Sequence, residues 1–177
     1  PKDAQTSTNS ITFAEVATHN HFVLDRGGSV FKQTAPVIKL PENSTEDDHL
    51  ALLGVLNSST ACFWLKQNSH NKGNGGIGGG IGDEAWEPRY AFPLPSGDVT
   101  ERGRRLDSLA QELAAWDPAN LFDDRSPTRE LIDEAHREYT RIRNLMIAEQ
   151  EELDWAVYHL YGFTDTDLSL PVGDVDG

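Results

Sequence analysis

Two histidines, His19 and His21, stand two residues apart. In an extended strand that spacing puts both imidazoles on one face, where they would suit a metal ion or the edge of a nucleic acid. A metal would need further ligands, and the chain offers few. His49, His70, His136 and His159 are scattered, and Cys62 is the only cysteine. Polar groups facing solvent or a DNA edge are therefore the expectation, with a metal-dependent hydrolase as a rival that metal analysis would decide. A second group is polar and moderately basic: Lys66, Asn68, His70, Asn71 and Lys72 run together into a glycine-rich stretch, and Arg89 lies beyond it. Such side chains donate to phosphate oxygens, and Asn, Arg and Lys are the usual readers of base edges. By composition alone the same group would be an ordinary polar helix end.

Other patterns carry less chemistry. Gly73-x-Gly75-x-x-Gly78 has the spacing of a dinucleotide-binding turn, but that turn works only between a strand and a helix whose N-terminus holds the pyrophosphate. Here it follows a helical pattern, precedes a proline-rich one and lacks the Gly-Lys-Ser/Thr ending of a phosphate-binding loop. A flexible loop that closes over a partner is expected instead. Cys62 falls inside an apolar helical stretch, where a thiol is normally inert packing. No serine sits in a Gly-x-Ser-x-Gly elbow. Asp165, Asp167, Asp174 and Asp176 are as dense as in a calcium loop, without the glycine and glutamate such a loop requires. Asp133 and Arg137 at i, i+4 describe a solvated helix face. No set of residues converges on catalysis.

The elements that must position these residues are legible from periodicity. Residues 11–40 read as β structure. Phe22-Val23-Leu24 and Val30-Phe31 flank Asp25 to Ser29, whose paired glycines supply the positive φ of a tight hairpin, and Ala35 to Leu40 reads as a further strand. A helix capped by Ser44 or Thr45 should run from about His49 to Gln67, with Leu53, Leu56, Thr60 and Phe63 at helical spacing. Seven of the ten residues 73–82 are glycine, which predicts a mobile loop. Arg89 to Pro95 should be extended. Asp98 and Glu101 form a capping box for a helix carrying Leu106, Leu109 and Leu113 that ends near Pro118. A longer helix starting at Ser126-Pro127 carries Ile132, Ala135, Tyr139, Ile142, Met146, Leu153, Ala156 and Leu160 in steps of three and four, broken only by Glu149. Gly162 is its stop.

Composition bounds what this arrangement can do. The 177 residues suit one domain or two small ones, with no apolar run of the ~20 residues that a membrane helix needs. The start lacks a signal pattern and the lone cysteine forms no internal disulfide, both of which favour the cytoplasm. The polar opening, with Met146 the only methionine, reads as a cut linker. A net charge of −14 argues against nonspecific attraction to DNA, but the charge is uneven: residues 1–97 hold 7 basic and 10 acidic groups, and 98–177 hold 8 and 19. Any nucleic-acid contact belongs to the first half, and the second faces protein or solvent.

The run Ala17 to Gly28, the run Ala35 to Pro41, the run Leu53 to Lys66 and the closing run Leu153 to Gly162 together resemble the C-terminal part of PglX-type adenine-specific DNA methyltransferases of BREX phage-defence systems. The Leu-Asn-Ser helix followed by a Phe-Pro-Leu-Pro strand is similar to the target-recognition domains of type I and single-chain restriction-modification enzymes. The resemblance implies an α+β fold: a small mixed target-recognition domain over 11–97, with a glycine-rich loop at 73–82, followed by a long two-helix antiparallel hairpin over 98–163. Residues 1–10 and 164–177 are expected to be flexible. It implies double-stranded DNA as partner, with contacts from His19, Asn20, His21, Arg26, Lys32, Lys66, Asn68, His70, Asn71, Lys72 and Arg89. Further implied partners are a methyltransferase domain in the same polypeptide and other phage-defence proteins. S-adenosylmethionine belongs to that parent enzyme. Its Asn/Asp-Pro-Pro-Tyr/Phe tetrapeptide and Phe-x-Gly-x-Gly loop do not occur in this chain, so the chain is expected to contribute target recognition, with no catalytic, metal or cofactor site of its own. The acidic second half leaves a different class open, a protein-interaction module or DNA mimic.

Overall fold

The computed structural model describes residues 9–15, 17–32, 34–71, 86–87, 92–122 and 126–175. The fold is α+β, as the sequence predicts, and divides into two compact units, residues 1–100 and 101–177.

In the first unit β1 (Ser10–Phe13) lies between β2 (Phe22–Asp25) and β3 (Val37–Ile38), antiparallel to both. The register sets Ile11 opposite Leu24 and Phe13 opposite Phe22, so these four side chains share one face. Ile11, Phe22 and Leu24 are buried, Val23 between the latter two is exposed, and the Phe13 and Phe22 rings meet at 5.1 Å. The expected hairpin of 22–24 with 30–31 does not form. Gly27 and Gly28 do take positive φ, but β2 pairs backwards with β1, and Val30 is 95% exposed. Val30-Phe31 is too short an apolar run to cover a sheet face, whereas Ile11 and Phe13 match β2 residue for residue.

Helix α1 (Glu46–Asn57) packs on both long strands. Thr45 begins it with a reciprocal capping box: Thr45 Oγ1 accepts from the Asp48 N–H at 3.2 Å, and Asp48 Oδ2 accepts from the Thr45 N–H at 2.7 Å. Leu50, Leu53 and Leu56 join Ile11, Phe22 and Leu24 in the core, with Leu65 from α2 (Ser59–Asn68). Each such buried side chain contributes about 1.5–3 kcal/mol. The single helix expected from His49 to Gln67 is two helices, broken at Ser58. This residue is extended; its hydroxyl donates to the Val55 carbonyl at 2.7 Å and accepts from the Ala61 N–H at 3.2 Å. It thereby ends one helix and starts the next. The cause is the run Asn57-Ser58-Ser59-Thr60, whose short polar side chains compete for backbone partners.

Beyond α2, β4 (His70–Asn71) pairs antiparallel with β5 (Trp86–Glu87). The glycine-rich stretch 73–82 falls outside the described residues. Phe92 meets the Trp64 ring edge-on at 5.5 Å and packs against the core.

The second unit is helical. Helix α3 (Thr100–Ala115) follows Asp98, whose Oδ1 accepts from the Thr100 N–H at 2.8 Å. A single turn, α4 (Pro118–Leu121), then precedes α5 (Arg129–Leu160), which Thr128 caps by accepting from the Leu131 N–H at 3.2 Å. The 32 residues of α5 span about 48 Å. Two ion pairs fix the direction of the helices: Arg105 meets Glu149 and Glu112 meets Arg141, so α3 and α5 run antiparallel. Ile142, Leu153 and Val157 are completely buried. The C-terminus of α5 closes with Gly162 at φ +71, its N–H donating to the His159 carbonyl and the Phe163 N–H to the Tyr158 carbonyl, each at 2.9 Å. Within residues 164–177, expected as a flexible end, Leu170 touches both helices. Arg102 of α3 donates to its carbonyl, and its N–H donates to Glu152 Oε2 of α5 at 2.6 Å.

Candidate nucleic-acid interface

The connection between β1 and β2 carries three of the sequence-derived site residues in one short turn. The His21 N–H donates to the His19 carbonyl at 3.1 Å, an i to i+2 bond that puts Asn20 at the apex of a γ-turn. Asn20 points inward. Its Nδ2 donates to the carbonyls of Leu56 at 2.7 Å and Ser58 at 2.9 Å, on either side of the break between α1 and α2; the Ser58 carbonyl also accepts from the Cys62 N–H at 3.0 Å. Asn57 completes the joint from the helix side, accepting from the Phe22 N–H on Oδ1 and donating from Nδ2 to the Phe22 carbonyl, both at 2.9 Å. A helix-end asparagine thus pairs with β2 as a neighbouring strand would.

His19 and His21 face outward on either side of Asn20. Both are exposed, their rings lie 6.0 Å apart, and His19 Nδ1 shares a hydrogen bond with Thr18 Oγ1 at 2.9 Å. They border a small open depression shared with Phe13, Ala17 and Asn20. No carboxylate lines it, so it does not fit S-adenosylmethionine, whose ribose hydroxyls need such an acceptor. Among the described residues no three His, Cys, Asp or Glu side chains come together to hold a metal.

The remaining site residues are distributed. Arg26, just past β2, pairs with Glu46 at 2.8 Å, but both side chains are well exposed, so the pair is worth at most about 1 kcal/mol and can yield to a phosphate. Lys32 and Lys66 are exposed and form no ion pair among the described residues. Lys66 and Asn68 lie at the end of α2, where Asn68 Nδ2 donates back to the Trp64 carbonyl at 2.8 Å. His70 and Asn71 form β4, opposite Glu87 and Trp86. Lys72 and Arg89 lie outside the described residues. The structure therefore groups His19, Asn20 and His21 in one turn and Lys66 with Asn68 at a helix end. Of the other histidines, His49 is buried and donates from Nδ1 to the Thr45 carbonyl at 2.7 Å. The residues that sequence reasoning missed are Asn57 and Ser58; their legible signal was a run of four capping-type residues inside an apolar helical pattern.

The acidic unit holds a site of another kind. Glu149, which interrupts the apolar stripe, is fully buried, with Arg105 Nε at 3.3 Å and Arg102 NH1 at 3.7 Å. It is a structural ion cluster. Partial burial pushes Asp167 up, yet hydrogen bonds from Ser169, with His159 and Arg102 nearby, outweigh that and hold the carboxyl below its usual range. No helix among the described residues is long and apolar enough to cross a membrane.

No protein-family model matches the chain, and no solved structure matches it. Over 96% of its length the chain is 49% identical to a protein of Streptomyces coelicolor named adenine-specific methyltransferase PglX. It spans 15% of that protein's length.

Proposed function

We propose that this chain is the DNA target-recognition portion of a PglX-type adenine-specific methyltransferase in a BREX-like phage-defence system. Methyl transfer and S-adenosylmethionine belong to another part of the same cytoplasmic polypeptide. The observation that carries the reading is the 49% identity along nearly the whole chain to an adenine-specific methyltransferase. The surface is compatible with it: His19 and His21 project from a braced turn, and Lys32 and Lys66 are exposed without carboxylate partners among the described residues. The first unit supplies contact groups, and the antiparallel helices serve as a brace toward the rest of the enzyme.

The test is binding of the chain to duplex DNA across a salt series. Each lysine that meets a phosphate steepens the dependence of log affinity on log salt by about 0.9. Lys66→Ala and Lys32→Ala should each weaken binding at every sequence and flatten that slope by about 1. Loss of a single sequence preference, with an unchanged slope, would contradict the phosphate role.

A second reading is supported by the charge of residues 101–177, which hold 18 acidic and 8 basic groups. Such a unit would bind a basic protein surface or imitate DNA. Direct binding of duplex DNA by the chain excludes imitation.

A further inference from the structure

We infer that the turn at residues 17–21 is the edge that meets DNA, with His19 and His21 as the contacting side chains and Asn20 as the residue that positions them. The inference rests on the target-recognition reading and divides its site more finely. All three are plausible readers of DNA by residue type, but the geometry gives them different tasks. Both Asn20 Nδ2 hydrogens are engaged by the Leu56 and Ser58 carbonyls, so its donors are turned away from any ligand. The flanking imidazoles are exposed, and an imidazole N–H can donate to a phosphate oxygen or a base edge.

The turn is braced from both sides. Asn20 ties its apex to the α1–α2 junction, while Asn57 ties the next strand residue, Phe22, to the same junction. Phe22 is in turn locked in the core against Phe13. A contact group mounted this way loses little conformational freedom on binding, unlike a lysine at the end of four rotatable bonds. Removing Asn20 therefore leaves the imidazoles chemically intact but no longer held together at 6.0 Å.

The experiment compares three variants of the whole chain, His19→Ala/His21→Ala, Asn20→Ala and Thr45→Ala, using a random-sequence duplex at low salt, thermal unfolding, and proton NMR of the imidazoles. The double-histidine variant should keep its thermal midpoint and lose about tenfold in affinity. Asn20→Ala should lower the midpoint, abolish the cross-relaxation between the two imidazole rings, and lose a similar factor in affinity. Thr45→Ala, destabilised elsewhere, should keep the ring-to-ring signal. Should Asn20→Ala not fold, Asn20→Ser retains one donor and should give a weakened signal.

Undiminished affinity in the double-histidine variant would overturn the contact role. An Asn20→Ala chain that keeps its midpoint and imidazole signal but loses DNA would overturn the positioning role, because Asn20 would then be the contact. If the unaltered chain binds no duplex at all, the target-recognition reading and the contact role fall together, while the imidazole signals still decide whether Asn20 positions the turn.

Discussion

Glu149 Oε1 accepts a hydrogen bond from Arg105 Nε at 3.3 Å in the interior of the helical unit, where the glutamate has no solvent exposure. Its second oxygen lies 3.7 Å from Arg102 NH1, near enough for attraction but beyond hydrogen-bonding distance. Arg102 is itself buried and donates to the Leu170 carbonyl. One carboxylate thus sets the packing of α3 on α5 and supports the residue that holds the C-terminal segment.

Removing that carboxylate should be far costlier than removing a surface charge. Glu149→Ala leaves the buried Arg102 without its counter-ion, and a loss of about 3–5 kcal/mol is expected. Replacing Glu149, Arg102 and Arg105 together with Leu or Met should cost less than Glu149→Ala, because no unpaired ion then remains in the interior and the residual loss is the bond from Arg102 to the Leu170 carbonyl. Urea unfolding of both variants measures this, and a single mutant within 1 kcal/mol of the parent would show that water reaches the cluster.

The Asn57 joint should be similarly sensitive. Asn57→Ala deletes two bonds to the Phe22 main chain, leaving a strand N–H and carbonyl to be satisfied elsewhere. At about 1 kcal/mol for each bond, the expected loss is roughly 2 kcal/mol. Hydrogen exchange at the Phe22 amide should speed up more than at Val23, whose main chain faces Thr12 of β1. Equal acceleration at both would mean that the whole unit, not the joint, had loosened.

These two joints mark where the sequence was silent. Apolar spacing revealed the two helices and their buried stripes, because periodicity reports which face is buried; their antiparallel pairing was what the resemblance implied. The spacing registered Glu149 only as an interruption, since the compensating arginines lie over forty residues away along the chain. Likewise, the apolar spacing from Leu53 to Phe63 supported one helix, while the break at Ser58 was written in side-chain hydrogen bonding rather than hydrophobicity. The strand at Phe22 was legible as β structure, but its partner was not. A glycine pair suggests a tight turn locally, and only the match of Ile11 and Phe13 to Leu24 and Phe22 decides which strand comes back. For the candidate site, residue type and spacing nominated His19 and His21 and the resemblance added Asn20; burial and partners separate the middle one.

Acid should weaken the start of α1 in a specific way. Hydrogen bonds from the Thr45 N–H and hydroxyl hold the Asp48 carboxyl below its ordinary value. With the folded value depressed, the unfolded chain takes up the proton first as pH falls. The carboxylate's contribution is therefore whole above the ordinary value of about 3.9 and is lost as pH drops through the folded value. Asp48→Asn should lower the urea midpoint by more at about pH 7 than at about pH 3. A deficit of equal size at both pH values would point to lost packing instead of lost charge.

Alkali should act through Tyr161. Burial pushes its phenol up to about 12, and the Phe163 ring stacks on it at 5.8 Å with planes 20° apart. Because the folded value is raised, the unfolded chain gives up this proton first as pH climbs. The stabilisation is present below the ordinary value of about 10 and lost as pH rises toward 12. In an absorbance titration of the phenolates, one step should come late and vanish in Tyr161→Phe. Phe163→Ala, by opening the ring to water, should return that step toward the ordinary value. Tyr161→Phe should also flatten the fall in stability across the same window. A late step that survives in Tyr161→Phe would assign it to another tyrosine, and a late step unmoved by Phe163→Ala would show that the burial comes from other neighbours.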